Sequence, residues 1–235
     1  MSKRVAIVQS NYIPWKGYFD IINMVDEFII YDDMQYTRRD WRNRNKIKTH
    51  QGANWLTIPV EVKGKYFQKI IETRISDPFW GKRHWASLIH NYSKAKFFNK
   101  YKAVFKALYF DNTEEFLSLI NFNFITTINQ VLGINTLLSW STDYNSGEGK
   151  SGRLLNLCKE TGATEYLSGP AAQGYLDEEL FHRDGVEIRW MDYSGYPEYH
   201  QLYPPFDHAV SILDLIFNEG PNAPKFMKSF TPDRR

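Results

Sequence analysis

Six basic side chains crowd one short stretch of the chain, RRDWRNRNKIKTH: Arg38, Arg39, Arg42, Arg44, Lys46 and Lys48, against one acid, Asp40. Guanidinium forks bind phosphate oxygens bidentately, and the interleaved amides of Asn43 and Asn45 can hold sugar hydroxyls or bases. The segment reads as a phosphate clamp or, more blandly, as a solvated basic loop. A nucleic-acid groove is a third reading, weakened by the net charge of only +2 and the lack of a second basic run. Just before it, YDDMQY supplies two carboxylates, Asp32 and Asp33. An acid at a strand's end could bind a divalent metal, hold a ribose or take a proton from an amine nucleophile; it could also simply pair with the arginines. Adjacent strand residues face opposite ways, so one of the two points into a cleft unless the strand has ended.

Other candidates are spread more thinly. QSNYIPWKGYFDII offers the Gln9 amide and the rings of Tyr12, Trp15 and Tyr18, and Gln35 and Tyr36 follow the paired acids. In YLSGPAAQGYL, Ser168 and Gly169 stand where backbone amides could cradle an anion, or where the chain merely turns. None of the histidines forms a metal pair such as HExxH. His90, with Asn91 and Tyr92 beside it, is the acid–base candidate. GEGKSG looks superficially like a phosphate loop, but it lacks the P-loop spacing and is set aside. The lone Cys158 excludes an internal disulfide and reads as a small core residue of a helix.

These residues need elements to position them. KRVAIVQS is a short, β-branched, apolar run of the kind buried on both faces of a parallel sheet. GYFDIINMVD places Phe19, Ile22 and Val25 at helical spacing, and EFIIYDD is a second buried strand. Strand, helix and strand within about thirty residues make a βαβ unit with a right-handed crossover. Ligands of open parallel sheets bind outside the carboxyl ends of the strands, so the segments after both strands should lie side by side on the ligand face. Residues 46–76 predict a strand-rich excursion and residues 78–132 a helical insertion, whose last helix carries Phe116, Leu119, Ile120, Phe124, Ile128 and Val131 on one stripe. A second α/β alternation follows. The expectation is one Rossmann-like α/β domain over residues 1–225, ending in a loose tail over 226–235. MSKRVAIVQSNY has too short an apolar run for a signal peptide, and no segment approaches a membrane span. A cytoplasmic setting with no membrane partner is the resulting expectation.

QSNYIPWKGYF, DEFIIYDDMQYTRRDWRNRNKIK, WLTIPV and YLSGPAAQGYL together resemble the WbqC-like family of bacterial proteins, whose opening typically reads QPxYxPxxGYF. The landmark positions match here as Gln9, Tyr12, Pro14, Gly17, Tyr18, Asp32, Asp33, Gln35, Tyr36, Asn43, Arg44, Asn45, Lys48 and Pro59. Ser10 stands where the family has proline, a departure expected to alter loop stiffness more than chemistry. The resemblance implies a transferase of O-antigen or other surface-polysaccharide synthesis, acting on a nucleotide-activated sugar and transferring glycine or another small amino acid. The rivals are a non-catalytic nucleotide-sugar binder and a nucleic-acid-modifying amino-acid transferase. On this reading Asp32, Asp33 and His90 are catalytic. Arg42, Arg44 and Lys48 hold phosphates, and Tyr12, Trp15 and Tyr36 stack on rings. No particular cofactor is implied beyond the nucleotide-sugar substrate, and a divalent metal is compatible. A weaker resemblance is to the nucleotidylyltransferase βαβ unit. Aligned on Gly17, both histidines of its HxGH motif are aromatic here, Trp15 and Tyr18, which implies a shared fold without histidine-dependent nucleotidyl transfer.

Overall fold

The computed structural model describes residues 2–231. The chain opens as the predicted βαβ unit: β1 (Arg4–Val8), α1 (Lys16–Asn23) and β2 (Glu27–Ile30), with β1 and β2 parallel and Ala6 level with Phe28. An antiparallel hairpin, β3 (Arg44–Thr49) and β4 (Gly52–Thr57), stands apart from this sheet. The helical insertion follows as α2 (Trp80–Tyr92), α3 (Phe98–Phe110) and α4 (Leu117–Leu132). Gly133, at φ 76°, takes the left-handed conformation that ends α4. The chain then returns to the sheet through β5 (Leu137–Trp140), α5 (Lys150–Glu160), β6 (Glu165–Ser168), α6 (Glu178–Arg183), β7 (Glu187–Trp190) and α7 (Ile212–Glu219).

The five parallel strands lie in the order β5-β2-β1-β6-β7. The chain therefore builds outward from β1 on one side, then jumps back and builds outward from β6 on the other. This is the Rossmann-like, doubly wound α/β arrangement, with its topological switch point between β1 and β6. Alternation along the strands covers both faces. Ala6, Phe28, Ile30 and Leu167 pack into one core with α1, α4 and α7. Val5, Ile7, Ile29 and Tyr166 pack into a second with α5 and α6. Burial on both sides is why Phe28, Ile29 and Ile30 form an unbroken apolar run. Cys158 is fully buried in the second core, as its place on the α5 stripe predicts.

One open reading is settled and one expectation needs correction. QKIIETRIS reads in sequence as a strand or an irregular edge, and the structure has the irregular one: a 3-10 turn over Ile70–Glu72 flanked by the isolated bridges Gln35↔Lys69, Val60↔Ile75 and Arg74↔Phe116, so the regular strand pair of the excursion is the β3–β4 hairpin. The first part of the expected loose tail is docked. Asp20, fully buried on α1, accepts the Lys228 amide at 3.0 Å and the Ser229 amide at 2.8 Å. A buried carboxylate needs such donors, and these backbone amides supply them. Residues 232–235 of that tail lie outside the described residues. Among the described residues no helix is long and apolar enough to cross a membrane.

Candidate functional site

A hollow of about 660 Å³ opens at the switch point. Its floor is the ends of β1 and β6, where Val8, Gln9, Ser168 and Gly169 meet. Tyr31, Tyr166 and Tyr175 contribute rings, and Tyr175 is more than half exposed at the rim. Among the described residues, Arg42, Lys150 and Arg153 line it with positive charge.

The cations come from separate parts of the sequence and are held by separate means. Arg42 reaches in from the basic segment. Its Nη1 lies 3.4 Å from the Ser10 carbonyl, and its Nε stands 3.7 Å from the Asp40 carboxylate, too far for a hydrogen bond. Arg153 extends from the first turn of α5 and is gripped by Asp33, which also accepts the Ser141 hydroxyl at 2.6 Å. Neither guanidinium Nε has an acceptor among the described residues. Lys150 is the first residue of α5, and the preceding Gly149 provides no side-chain cap. The uncapped amides of that eleven-residue helix therefore add the positive end of its dipole to the same place. An anion is the natural complement of this set.

The helical insertion braces the β1 loop from below. Asp32 is fully buried and accepts the Ser10 amide at 2.8 Å, the Ser10 hydroxyl at 2.6 Å and the Ser118 hydroxyl of α4. Asn121 of α4 donates to Ser10 Oγ and to the Arg42 carbonyl, both at 2.9 Å. Burial raises the Asp32 pKa, while its Ser10 and Ser118 donors and the Arg42 charge pull the other way. Ser10 therefore does more than soften the loop: two of the three bonds to Asp32 are its own, and proline could not supply the amide one.

Of the residues expected at the site, the structure brings together Gln9, Arg42, Ser168 and Gly169, with Asp33 behind Arg153. The others go elsewhere. Asp32 is an internal brace whose burial keeps it from orienting or deprotonating a substrate. Tyr12 is fully buried, with its hydroxyl 2.9 Å from both His84 Nδ1 and Tyr109 Oη, so it cannot stack on a ligand. Tyr18 is buried and donates to the Gln9 carbonyl at 3.0 Å, which positions that residue. Tyr36 is buried, and its hydroxyl is pushed up to about 12. Gln35 lies on the flank, bonded to the Tyr66 carbonyl. Asn43 donates to the Ile58 carbonyl. Asn45 ties down the carbonyls of Tyr12 and Ile13, steadying the positive φ of 37° at Ile13. Arg44 lies 4.1 Å above the Trp55 ring on the hairpin, and Lys48 is buried against the Pro205 carbonyl, so neither is the phosphate ligand expected. His90 is exposed on α2 and does not line the hollow. Its neighbour His84 is the buried histidine, with a pKa lowered to about 4 by desolvation. Trp15 faces a separate small pocket.

Metal binding by the paired acids does not fit this geometry. Asp32 is saturated with donors, Asp33 is committed to Arg153, and among the described residues no group of three His, Cys, Asp or Glu side chains could hold an ion. Sequence reasoning missed Lys150, Arg153, Ser118 and Asn121. The signal for Lys150 lies in GEGKSG, a glycine-rich entry to a helix after a parallel strand, although the motif lacks the P-loop spacing; nothing local marks Arg153.

The model of the WbqC-like protein family matches residues 9–226. The uncharacterized protein Rv1507c of Mycobacterium tuberculosis (strain ATCC 25618 / H37Rv) is 53% identical over 226 residues, covering 96% of this chain and 98% of that protein. No solved structure matches the chain. A family match spanning both strand-end loops, the basic segment and the helical insertion shows that the chain belongs to the WbqC-like protein family.

Proposed function

We propose that this protein is a transferase acting on a nucleotide-activated sugar, with the substrate's pyrophosphate held over the switch point. The observation that carries the reading is the convergence of Arg42, Lys150, Arg153 and the α5 N-terminus on one hollow. Positive charge fixed there before the reaction stabilises a departing or bridging phosphate without reorganisation, and such stabilisation supplies most of the rate gain in many transfer reactions. Tyr175 at the rim offers a ring face for the base. Glycine or another small amino acid is the transferred or accepting partner in this reading, and surface-polysaccharide synthesis its setting.

A second reading, a non-catalytic nucleotide-sugar binder, draws support from one feature. Among the described residues lining the hollow there is no carboxylate and no imidazole to move a proton. Incubation with a panel of nucleotide sugars and glycine, followed by mass spectrometry, separates the two. A new covalent product supports the transferase. Binding without any product supports the binder, and failure to bind any member of the panel contradicts both.

A further inference from the structure

The ridge formed by residues 9–11 and 41–42 has a second side. The Tyr12 amide donates to the Trp41 carbonyl at 3.1 Å, and Arg42 Nη1 approaches the Ser10 carbonyl, so the two segments are zipped together. Gln9 and Arg42 face the basic hollow. Asn11 and Trp41, their near neighbours in sequence, face a pocket of about 290 Å³ completed by Trp15, Asn45 and His208.

This pocket has a different chemistry. Among the described residues its lining contains no Lys, Arg, Asp or Glu. Two indoles contribute apolar faces, and Trp41 is 41% exposed, so its ring is open to a ligand. Asn45 is spent on the Tyr12 and Ile13 carbonyls. Asn11 Oδ1 and His208 Nδ1, by contrast, have no hydrogen-bond partner among the described residues. Desolvation and the nearby Lys16 lower the His208 pKa, which favours the neutral imidazole. The complement of such a site is an uncharged ring with apolar faces and a hydrogen-bonding edge. A pyranose meets both demands: its axial C–H groups lie on indole, and its hydroxyls donate or accept as the amide and imidazole require.

We infer that the Trp15–Trp41 pocket is the subsite for the sugar ring of the activated substrate, across the ridge from the cations that hold its pyrophosphate. The inference rests on the function proposed above, and the test separates the two. Nucleoside diphosphates and the corresponding nucleotide sugars (glucose, galactose and N-acetylglucosamine derivatives) are titrated calorimetrically against the wild-type protein, Trp41→Ala and Asn11→Ala. Trp41 is a surface side chain whose backbone bond to Tyr12 survives truncation, and melting temperature checks the fold of both variants. The expected result is at least one sugar conjugate that binds about tenfold tighter than its nucleoside diphosphate, a gain lost in Trp41→Ala and reduced in Asn11→Ala, with nucleoside diphosphate affinity unchanged. Three results overturn the assignment: no conjugate gains affinity, the variants leave the gain intact, or Trp41→Ala weakens the bare nucleoside diphosphate equally, which makes the base the occupant. If no nucleoside diphosphate binds the wild type, the phosphate reading fails by itself. Free methyl glycosides of the same sugars then test the pocket through tryptophan fluorescence: a change abolished in Trp41→Ala upholds it, and no change refutes it.

Discussion

Two buried groups should give this protein a pair of opposed pH responses, and substitution can expose each. Asp214, fully buried on α7, accepts from Tyr199 at 2.8 Å and from Gln201 at 2.9 Å. Burial outweighs those bonds and raises its pKa from 3.8 to about 6. Its folded pKa lies above its unfolded one, so the folded state gains stability as the pH falls from neutrality toward 4 and loses it as the pH rises through about 6. The shift corresponds to roughly 2 to 3 kcal/mol. His84 has the opposite sign. Burial beside Tyr12 lowers its pKa from 6.5 to about 4. The unfolded chain takes up a proton below about 6.5 that the folded chain refuses until about 4, so stability is lost on acidification, by about 3 kcal/mol. Urea denaturation of wild type, Asp214→Asn and His84→Gln from pH 4 to 7.5 reads both. Differences from wild type cancel the many surface carboxylates common to all three. Asp214→Asn should gain about 2 to 3 kcal/mol relative to wild type between pH 4 and 7.5. His84→Gln should lose about 3 kcal/mol relative to wild type over the same range, whatever its absolute stability. Differences independent of pH would refute the reasoning for the residue concerned.

Other outcomes follow from the packing. A β-carbon on Gly17 would lie 2.3 Å from the Trp15 ring, so Gly17→Ala should displace the indole and cost about 1 to 3 kcal/mol in urea denaturation. Cys158 is buried with its thiol pushed up to about 12, so iodoacetamide at pH 8 should alkylate it only at the rate of unfolding, as mass spectrometry would show. Ser10→Pro removes both the amide and the hydroxyl bond to the buried Asp32 carboxylate and should lower stability by at least about 1 to 3 kcal/mol, which differential scanning calorimetry reads as a lower melting temperature.

The sheet was legible because its first strands are short apolar runs buried on both faces, VAIV and FII, separated by helical periodicity. Those signals are local. A βαβ start and a later α/β alternation leave few right-handed topologies for one sheet, but the place of the switch point comes from the strand order β5-β2-β1-β6-β7. The site was only partly legible, and the reason is also physical. Arg44, Lys48, Asp32 and Tyr12 carry the residue types of a phosphate and base site, but each is claimed by a partner: Arg44 by Trp55 across the hairpin, and Lys48, Asp32 and Tyr12 by the distant Pro205, Ser118 and His84. Residue type announces what a group can do, and long-range packing decides whether it is free to do it. Arg153 shows the converse. It stood in an ordinary amphipathic helix, and only the return of β6 beside β1 brought that helix's first turn to the hollow.

The functional reading stands or falls on which arginine meets the phosphates. Arg42 lines the hollow, whereas Arg44, two residues on, lies over Trp55 on the hairpin. Calorimetric titration of wild type, Arg42→Met and Arg44→Met with the tightest-binding nucleoside diphosphate of a four-base panel measures the difference. A charged hydrogen bond of about 1.5 to 3 kcal/mol predicts at least a tenfold loss of affinity in Arg42→Met. Arg44→Met should bind as the wild type does. Equal losses in both variants, or a loss confined to Arg44→Met, would contradict the placement of the pyrophosphate at the switch point.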